Sequence, residues 1–179
     1  MISMKSIVPI LIFFVSFTAA GQSKSFPESW AGNWKGELNW YKTGTKEPQK
    51  VNMELRIHAI HSPGSAVSWT WQIIYGSESE DNRPYNLIQK DSTGIHWAID
   101  ENNGIVIDQY WVGNKFSGAF TVQNSTIINS YWMEKKKLIV EFYNISAKPV
   151  AASGKGTEDS PKVDSYKMGS YQKAILTRQ

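Results

Sequence analysis

Apolar and polar residues alternate with a period of two in one segment after another, from residue 32 almost to the end of the chain. In the first segment Trp34 and Leu38 fall on one face, and Lys35 and Glu37 fall on the other. This alternation predicts β-strands with one buried face, and no segment has convincing helical periodicity. The ten predicted strands are 32–41, 51–60, 66–75, 84–90, 94–100, 105–112, 115–122, 125–133, 138–146 and 165–177.

Short connections with turn-forming residues separate several of these segments, and such residues supply the positive φ angles of tight hairpins. Neighbours in sequence are therefore expected to be neighbours in space, in an antiparallel meander. Two connections are longer, 43–50 and 148–164, and the Ala, Ser, Gly and Pro residues of the second predict a mobile loop. The short connections are Asn102-Asn103-Gly104, Gly113-Asn114, Gln123-Asn124 and Lys135-Lys136.

A meander of this length must protect its edge strands, and closure into a barrel is the usual solution. Alternation alone fits either a membrane barrel, which is apolar outside, or a water-soluble barrel, which is apolar inside. Charged residues such as Glu54, Arg56 and Glu141 lie in the middle of predicted strands, where contact with lipid is costly. We therefore expect an all-β fold, a single antiparallel up-and-down barrel of about ten strands with an apolar interior.

The first 21 residues have the three parts of a secretory signal peptide: the positive charge of Lys5, an apolar run over 7–17, and small residues ending at Gly21. The run is short for a transmembrane helix, which makes a membrane anchor the weaker alternative. The 179-residue chain has no cysteine, which excludes a lipid-bearing cysteine, disulfides and thiolate metal sites. We expect a secreted or periplasmic protein with one domain, 22–179, and no membrane span after cleavage.

The segment around Gly32-Asn33-Trp34 resembles the start of the first strand in lipocalin-like barrels of the calycin superfamily, which carries a Gly-x-Trp motif. In that superfamily an Arg of the last strand packs over the motif Trp and closes the barrel base. Arg178 stands at the corresponding place, so the resemblance implies that Gly32, Trp34 and Arg178 form the closure. True lipocalins have a helix after the barrel, and none is evident in this sequence. Fatty-acid-binding proteins have a helical lid after the first strand, and 43–50 is too short for one, so the subfamily is left open.

The inward faces are unusually aromatic, since the chain has 8 Trp. An apolar cavity with a few polar groups is typical of a small-molecule site, and such an interior favours binding of a small, mostly apolar ligand. A filled core, with Gln109 and Ser130 hydrogen-bonded to each other or to water, is the alternative. The candidate cavity lining is Trp40, Trp69, Trp71, Trp97, Gln109, Trp111, Ser130, Trp132 and Phe142, and Met53, Leu55, Ile57, Ile107, Met168 and Gln172 share the inward registers.

No pattern predicts a catalytic, metal or cofactor site. His58 and His96 fall on outward faces and His61 in a turn, and the carboxylates of Asp100, Glu101 and Asp108 beside a hairpin are expected to be solvated. The net charge of +3 is too small to indicate nucleic acid binding. We therefore expect no enzyme. The alternative to a ligand binder is an accessory module with a filled core, which would contact a protein partner through its loops or outward tyrosines: Tyr41, Tyr110, Tyr131 and Tyr143.

Overall fold

The computed structural model describes residues 25–61 and 68–179, and the predicted signal peptide, 1–21, lies outside the described residues. A 3₁₀ turn over Glu28–Trp30 precedes the first strand. Within the described ranges, no helix is long and apolar enough to cross a membrane. The strands are β1 Gly32–Lys42, β2 Gln49–Ile57, β3 Ala59–Ile60, β4 Ser68–Tyr75, β5 Asp81–Gln89, β6 His96–Asp100, β7 Val106–Val112, β8 Lys115–Val122, β9 Ser125–Glu134, β10 Lys137–Ser146, β11 Ala151–Ser153, β12 Val163–Ser165 and β13 Met168–Arg178.

Ten of these strands form one closed antiparallel barrel, as the alternation predicts. Going around the barrel, the order is β1, β2, β4, β5, β6, β7, β8, β9, β10 and β13, and β13 pairs with β1 to close the ring. Successive barrel strands are neighbours throughout, which is an up-and-down topology. The short β3 continues the line of β2 and pairs with β4.

The short connections adopt the backbone conformations that tight hairpins need. Lys135 and Lys136 have φ angles of 47° and 64°, and Gly113 has a φ of 60°. The long connection between β10 and β13, predicted as a mobile loop, contains regular structure, because β11 and β12 form a two-stranded antiparallel hairpin within it. Its side chains are nearly all exposed, and the period-two signal is absent because neither face of this hairpin is buried.

The two ends of the barrel differ. We call the end where β1 begins and β13 ends the base, and the opposite end the mouth. At the base, Trp34 is 1% exposed and the guanidinium of Arg178 lies 4.5 Å from its ring centroid. Arg178 Nη2 donates to the carbonyl of Ser29 at 2.7 Å, and Trp34 Nε1 donates to the carbonyl of Trp30 at 2.8 Å. The predicted contact between Trp34 and Arg178 is confirmed.

Aromatic rings fill the half of the barrel next to the base. Phe26 and Trp30, just before β1, enter the interior from below. The Phe26 ring lies 5.0 Å from Trp97, 5.1 Å from Trp111 and 4.9 Å from Phe116, measured between ring centroids. The Trp97 and Trp111 pairs are edge-to-face, whereas the Phe116 ring is tilted by 44°. Aromatic pairs of this kind bury large apolar surfaces and add roughly 0.5–1.5 kcal/mol each beyond burial. The lower half is therefore a packed core.

Candidate ligand-binding site at the mouth

The free space inside the barrel lies towards the mouth. A cleft of about 310 Å³ opens at the mouth and is lined by residues of β1, β2, β4, β5 and β13. Below it an inner cavity of about 80 Å³ reaches the middle of the barrel. A water needs roughly 10–15 Å³ and small-molecule sites measure about 300–1,000 Å³, so the inner cavity suits a few waters and the cleft suits a small ligand. The cleft is lined by Leu38, Trp40, Val51, Tyr75, Asp81, Arg83 and Gln172.

An ion pair on β5 lines this cleft. Asp81 and Arg83 are two residues apart, which places them on the same face of the strand. Arg83 Nε donates to Asp81 Oδ1 at 2.9 Å and Arg83 Nη2 donates to Asp81 Oδ2 at 2.8 Å. The Arg83 guanidinium also lies 4.7 Å from the ring centroid of Tyr75. Two parallel hydrogen bonds and one stacking contact hold the guanidinium in a defined orientation.

These contacts fix the charge states of the three groups. The hydrogen bonds from Arg83 lower the pKa of the Asp81 carboxyl, and the same bonds raise the pKa of Arg83. Burial raises the pKa of the Tyr75 hydroxyl to about 12. At neutral pH the mouth therefore holds a carboxylate, a guanidinium and a neutral phenol.

The inner cavity has a polar wall made by two buried amides. Gln109 and Asn129 are 0% and 2% exposed. Asn129 Nδ2 donates to Gln109 Oε1 at 2.9 Å, and Gln109 Nε2 donates to Asn129 Oδ1 at 3.4 Å. Gly118 makes this arrangement possible, because a Cβ there would stand 2.3 Å from Gln109 Nε2. Each of these two buried amides therefore donates a hydrogen bond to the other and accepts one from it, so neither is left without a partner.

The structure divides the predicted lining residues into three groups. Trp40 and Gln172 line the cleft, and Gln109 and Phe142 line the inner cavity. A second set belongs to the packed core or packs against it, and these residues do not line the cleft or the inner cavity described above: Trp69, Trp71, Trp97, Trp111, Met53, Leu55 and Ile57. Ile107 is buried beside the inner cavity.

The third group was assigned to the wrong face. Ser130 and Trp132 lie on the outer face of β9, where Ser130 Oγ bonds to Ser117 Oγ at 2.8 Å and Lys115 Nζ lies 4.1 Å from the Trp132 ring centroid. The inward residues are Asn129 and Tyr131, so the expected Gln109–Ser130 bond is replaced by Gln109–Asn129. Each face of β9 carries one large aromatic residue and one small polar residue, so alternation alone does not tell the faces apart. The ammonium groups of Lys115 and Lys173 lie over the outward indole of Trp132.

Two other expectations about sidedness also need correction. Tyr131, predicted to face outward, is 2% exposed and packs edge-to-face on Trp71 with ring centroids 5.0 Å apart. Met168, predicted to face inward, is 48% exposed at the rim of the mouth. Met168 is the first residue of β13 and lies at the mouth, above the packed part of the interior. Tyr41, Tyr110 and Tyr143 do lie on the outer face, where Tyr41 and Tyr143 flank Tyr171.

Sequence reasoning missed the residues that give the mouth its chemistry. The strand that carries Asp81 and Arg83 begins at Asp81, three residues before the predicted strand. The inward residues of this strand are Asp81, Arg83, Tyr85 and Leu87. Because the first two are charged, the usual alternation of apolar and polar residues is not visible at the start of the strand. Tyr85, which lines the inner cavity together with Glu101, was missed for the same reason. Burial raises the pKa of the Tyr85 hydroxyl.

His58 and His96 each have a polar side-chain partner. His58 Nε2 lies 2.7 Å from Asn33 Oδ1, and His96 Nε2 lies 2.8 Å from Asp108 Oδ1 while its ring stacks on Tyr110. Among residues 25–61 and 68–179, no three His, Asp or Glu side chains are grouped in a way that could hold a metal ion.

Comparison with known proteins does not assign the chain to a family. No protein-family model and no curated protein matches the sequence. The architecture is a closed antiparallel barrel of ten strands, consistent with a calycin-like barrel, with a packed base and an open mouth.

Proposed function

We propose that this chain is a secreted or periplasmic protein that binds a small, mostly apolar molecule at the mouth of its barrel. The observation that carries the proposal is the cleft of about 310 Å³, which combines an apolar wall with a fixed ion pair. The proposed ligand site lies above the packed aromatic core, in which Phe26 contacts Trp97, Trp111 and Phe116.

The composition of the cleft supports this type of ligand. Leu38, Trp40 and Val51 form its apolar side, and removal of such surface from water contributes about 25 cal/mol per Å² to binding. Asp81 and Arg83 form the polar side and are already oriented before a ligand arrives. A site that is organised in advance loses less conformational entropy on binding.

A neutral apolar fluorophore, N-phenyl-1-naphthylamine, tests the proposal. We expect its emission to rise on addition of the wild-type protein, and we expect Val51→Phe to weaken binding several-fold because the larger side chain occupies the cleft. Val106→Phe is the matched control, since Val106 is 49% exposed on the outer face of β7. Absence of binding to the wild-type protein, or equal binding by both variants, would contradict the proposal.

One observation favours a second function, an accessory module that contacts a protein partner. The outer face of β7 exposes Val106, Tyr110 and Val112 to 49%, 43% and 66%. Exposed apolar patches are a feature of interaction surfaces, and on this face the apolar side chains flank the carboxylate of Asp108. Replacement of Val106 and Val112 by Ser would abolish capture of such a partner and leave fluorophore binding unchanged, which separates the two functions.

A further inference from the structure

Three connections lie next to one another on one side of the base. They are the segment 90–95 between β5 and β6, the turn Gly113-Asn114 between β7 and β8, and the turn Lys135-Lys136 between β9 and β10. Two strand spacings of about 4.8 Å separate each connection from the next, so successive connections are on the order of 10 Å apart. We call these connections, with the residues that flank them, the base rim.

Lysines dominate the charge of the base rim. Its exposed basic side chains are Lys90, Lys135, Lys136 and Lys137. In the described part of the chain, none of these four ammonium groups takes part in an ion pair. They are therefore available to charges outside the molecule.

Two carboxylates belong to the same rim. Asp91 accepts hydrogen bonds from the backbone N–H groups of Gly94 and His96 at 2.8 and 3.2 Å, and Glu134 stands opposite Lys137 in the register of β9 and β10. Four lysines against two carboxylates leave an excess of positive charge at the base rim, although the net charge of the whole chain is only +3.

The opposite ends of β4 to β7 are acidic. Their connections, residues 76–80 and 101–105, contain no lysine or arginine and carry Glu78, Glu80 and Glu101. Of these, Glu78 is paired with Arg56 of β2. The separation of positive charge at the base rim from negative charge at the mouth orients this side of the barrel near an anionic surface, with the base rim towards it.

The turn that carries two of the lysines has an unusual backbone. Lys135 and Lys136 have φ angles of 47° and 64°, so both lie in the left-handed region. A two-residue hairpin turn of this kind favours Asn-Gly, because a residue with a longer side chain is strained there. Residues held in such conformations cluster at functional sites. The two lysines therefore occupy positions for which turn geometry alone favours other residues.

Two aliphatic side chains of the base rim are exposed. Val112 is 66% exposed and Ile95 is 52% exposed, and within the described ranges no other large apolar side chain is as exposed as Val112. The backbone N–H of Trp111 donates to the carbonyl of Ile95 at 3.0 Å, which places Ile95 next to the end of β7 that carries Val112. Basic and exposed aliphatic side chains on one surface are typical of proteins that bind an anionic bilayer at its interface.

We propose that the base rim binds the surface of a bilayer that contains anionic phospholipids. Lys90, Lys135 and Lys136 pair with the phosphate head groups, and Val112 and Ile95 enter the boundary between head groups and hydrocarbon. A soluble polyanion offers the charges without the apolar layer, so it leaves the two aliphatic side chains unused. This inference goes beyond the proposed function and does not depend on it. In this orientation the mouth points away from the bilayer and stays open to a ligand.

Cosedimentation with large unilamellar vesicles tests the proposal. One set of vesicles contains phosphatidylcholine alone, and the other contains phosphatidylcholine and phosphatidylglycerol in equal parts. Each lysine near an anionic surface is worth about a fivefold factor in affinity, so wild-type protein is expected to bind the second set at least about tenfold more tightly. Added sodium chloride is expected to weaken this binding, because salt screens exposed charges.

Lys135→Asn combined with Lys136→Gly separates charge from structure. The new turn has the favoured Asn-Gly sequence, so the melting temperature is expected to be unchanged or higher. Two positive charges are lost, so affinity for the anionic vesicles is expected to fall at least about tenfold. Lys46→Gln combined with Lys155→Gln is the matched control, because it removes the same charge from exposed positions at the mouth end. These positions are farther from the base rim than a Debye length of about 10 Å, so affinity is expected to stay within about twofold of wild type.

Val112→Ser tests the apolar contact. It is expected to weaken binding to the anionic vesicles several-fold, because less apolar surface enters the interface. Val106→Ser is the matched control, since Val106 is an exposed valine at the mouth end of the same strand, and it is expected to bind like wild type.

Three results would overturn the proposal: equal binding of wild type to the two sets of vesicles, unchanged vesicle binding by Lys135→Asn with Lys136→Gly, or equal binding by Val112→Ser and Val106→Ser. Retention of wild type on immobilised heparin without binding to either set would assign the lysines to a soluble polyanion and overturn it as well. None of these results bears on fluorophore binding at the mouth, so the proposed function is tested separately.

Discussion

Replacement of Trp34 by alanine tests how the base of the barrel is held together. Trp34 is 1% exposed, donates a hydrogen bond to the carbonyl of Trp30 and supports the guanidinium of Arg178. Large-to-small substitutions of buried tryptophan cost about 3–5 kcal/mol. For a domain of this size, about 2–4 °C of melting temperature per kcal/mol predicts a loss of roughly 6–20 °C.

Arg178→Ala acts on the same contact and makes the prediction quantitative. It removes a cation–π contact worth about 0.5–2 kcal/mol and a hydrogen bond to the carbonyl of Ser29. In a protein that already carries Trp34→Ala, Arg178→Ala removes no cation–π contact. The cost of the double variant is therefore expected to be smaller than the sum of the two single costs by about the cation–π energy. Urea unfolding followed by far-ultraviolet circular dichroism gives the four free energies of unfolding.

Lys50→Ala provides the control, since its ion pair with Glu37 lies on the outer surface and both side chains are about half exposed. Such exposed pairs contribute about 0–1 kcal/mol. If Trp34→Ala costs less than about 1 kcal/mol, a value typical of surface substitutions, the reasoning about the base is refuted. Full additivity of Trp34→Ala and Arg178→Ala would show that the two side chains do not interact.

Two other predictions concern the middle and the mouth of the barrel. Gly118→Ala places a Cβ 2.3 Å from Gln109 Nε2 and 2.6 Å from the Asp108 carbonyl oxygen. Such overpacking is expected to lower the free energy of unfolding in urea by about 1–3 kcal/mol. An unchanged unfolding midpoint would contradict the packing around Gly118. Burial raises the pKa of the Tyr75 hydroxyl to about 12 in the folded protein, whereas the pKa of an unfolded tyrosine is about 10. The contribution of this protonated hydroxyl to the free energy of unfolding is therefore complete below about pH 10 and is lost as the pH rises towards 12. Tyr75→Phe is therefore expected to flatten the decline in stability between about pH 10 and 12 relative to wild type, and an identical decline in both proteins would show that Tyr75 is not buried.

Most of the fold could be predicted because a strand with one buried face leaves a period-two record in sequence. The barrel strands and the hairpin turns follow from local signals of this kind, whereas the contact of Trp34 with Arg178 was implied by the resemblance of the Gly32-Asn33-Trp34 segment to lipocalin-like barrels. Where both faces carry similar residues, the record fails, as on β9, where Tyr131 rather than Trp132 turns inward.

The candidate site was less accessible to sequence reasoning. Which indoles pack and which line free space depends on how side chains from opposite strands fill the interior, and no single strand contains that information. Trp97 and Trp40 have the same alternating context, yet the first is packed under Phe26 and the second lines the cleft. Arg83 escaped notice because a charged residue at the start of a strand resembles a residue of the preceding turn.

Indole N–H signals offer the most direct test of a packed base below an open mouth. Each of the 8 tryptophans contributes one indole cross-peak to a ¹H–¹⁵N spectrum, and single Trp→Phe variants assign them. On titration with N-phenyl-1-naphthylamine, the account predicts a large shift of the Trp40 signal and almost none for Trp97 and Trp111. Large shifts of Trp97 and Trp111 with a constant Trp40 signal would place the free space at the base and contradict it.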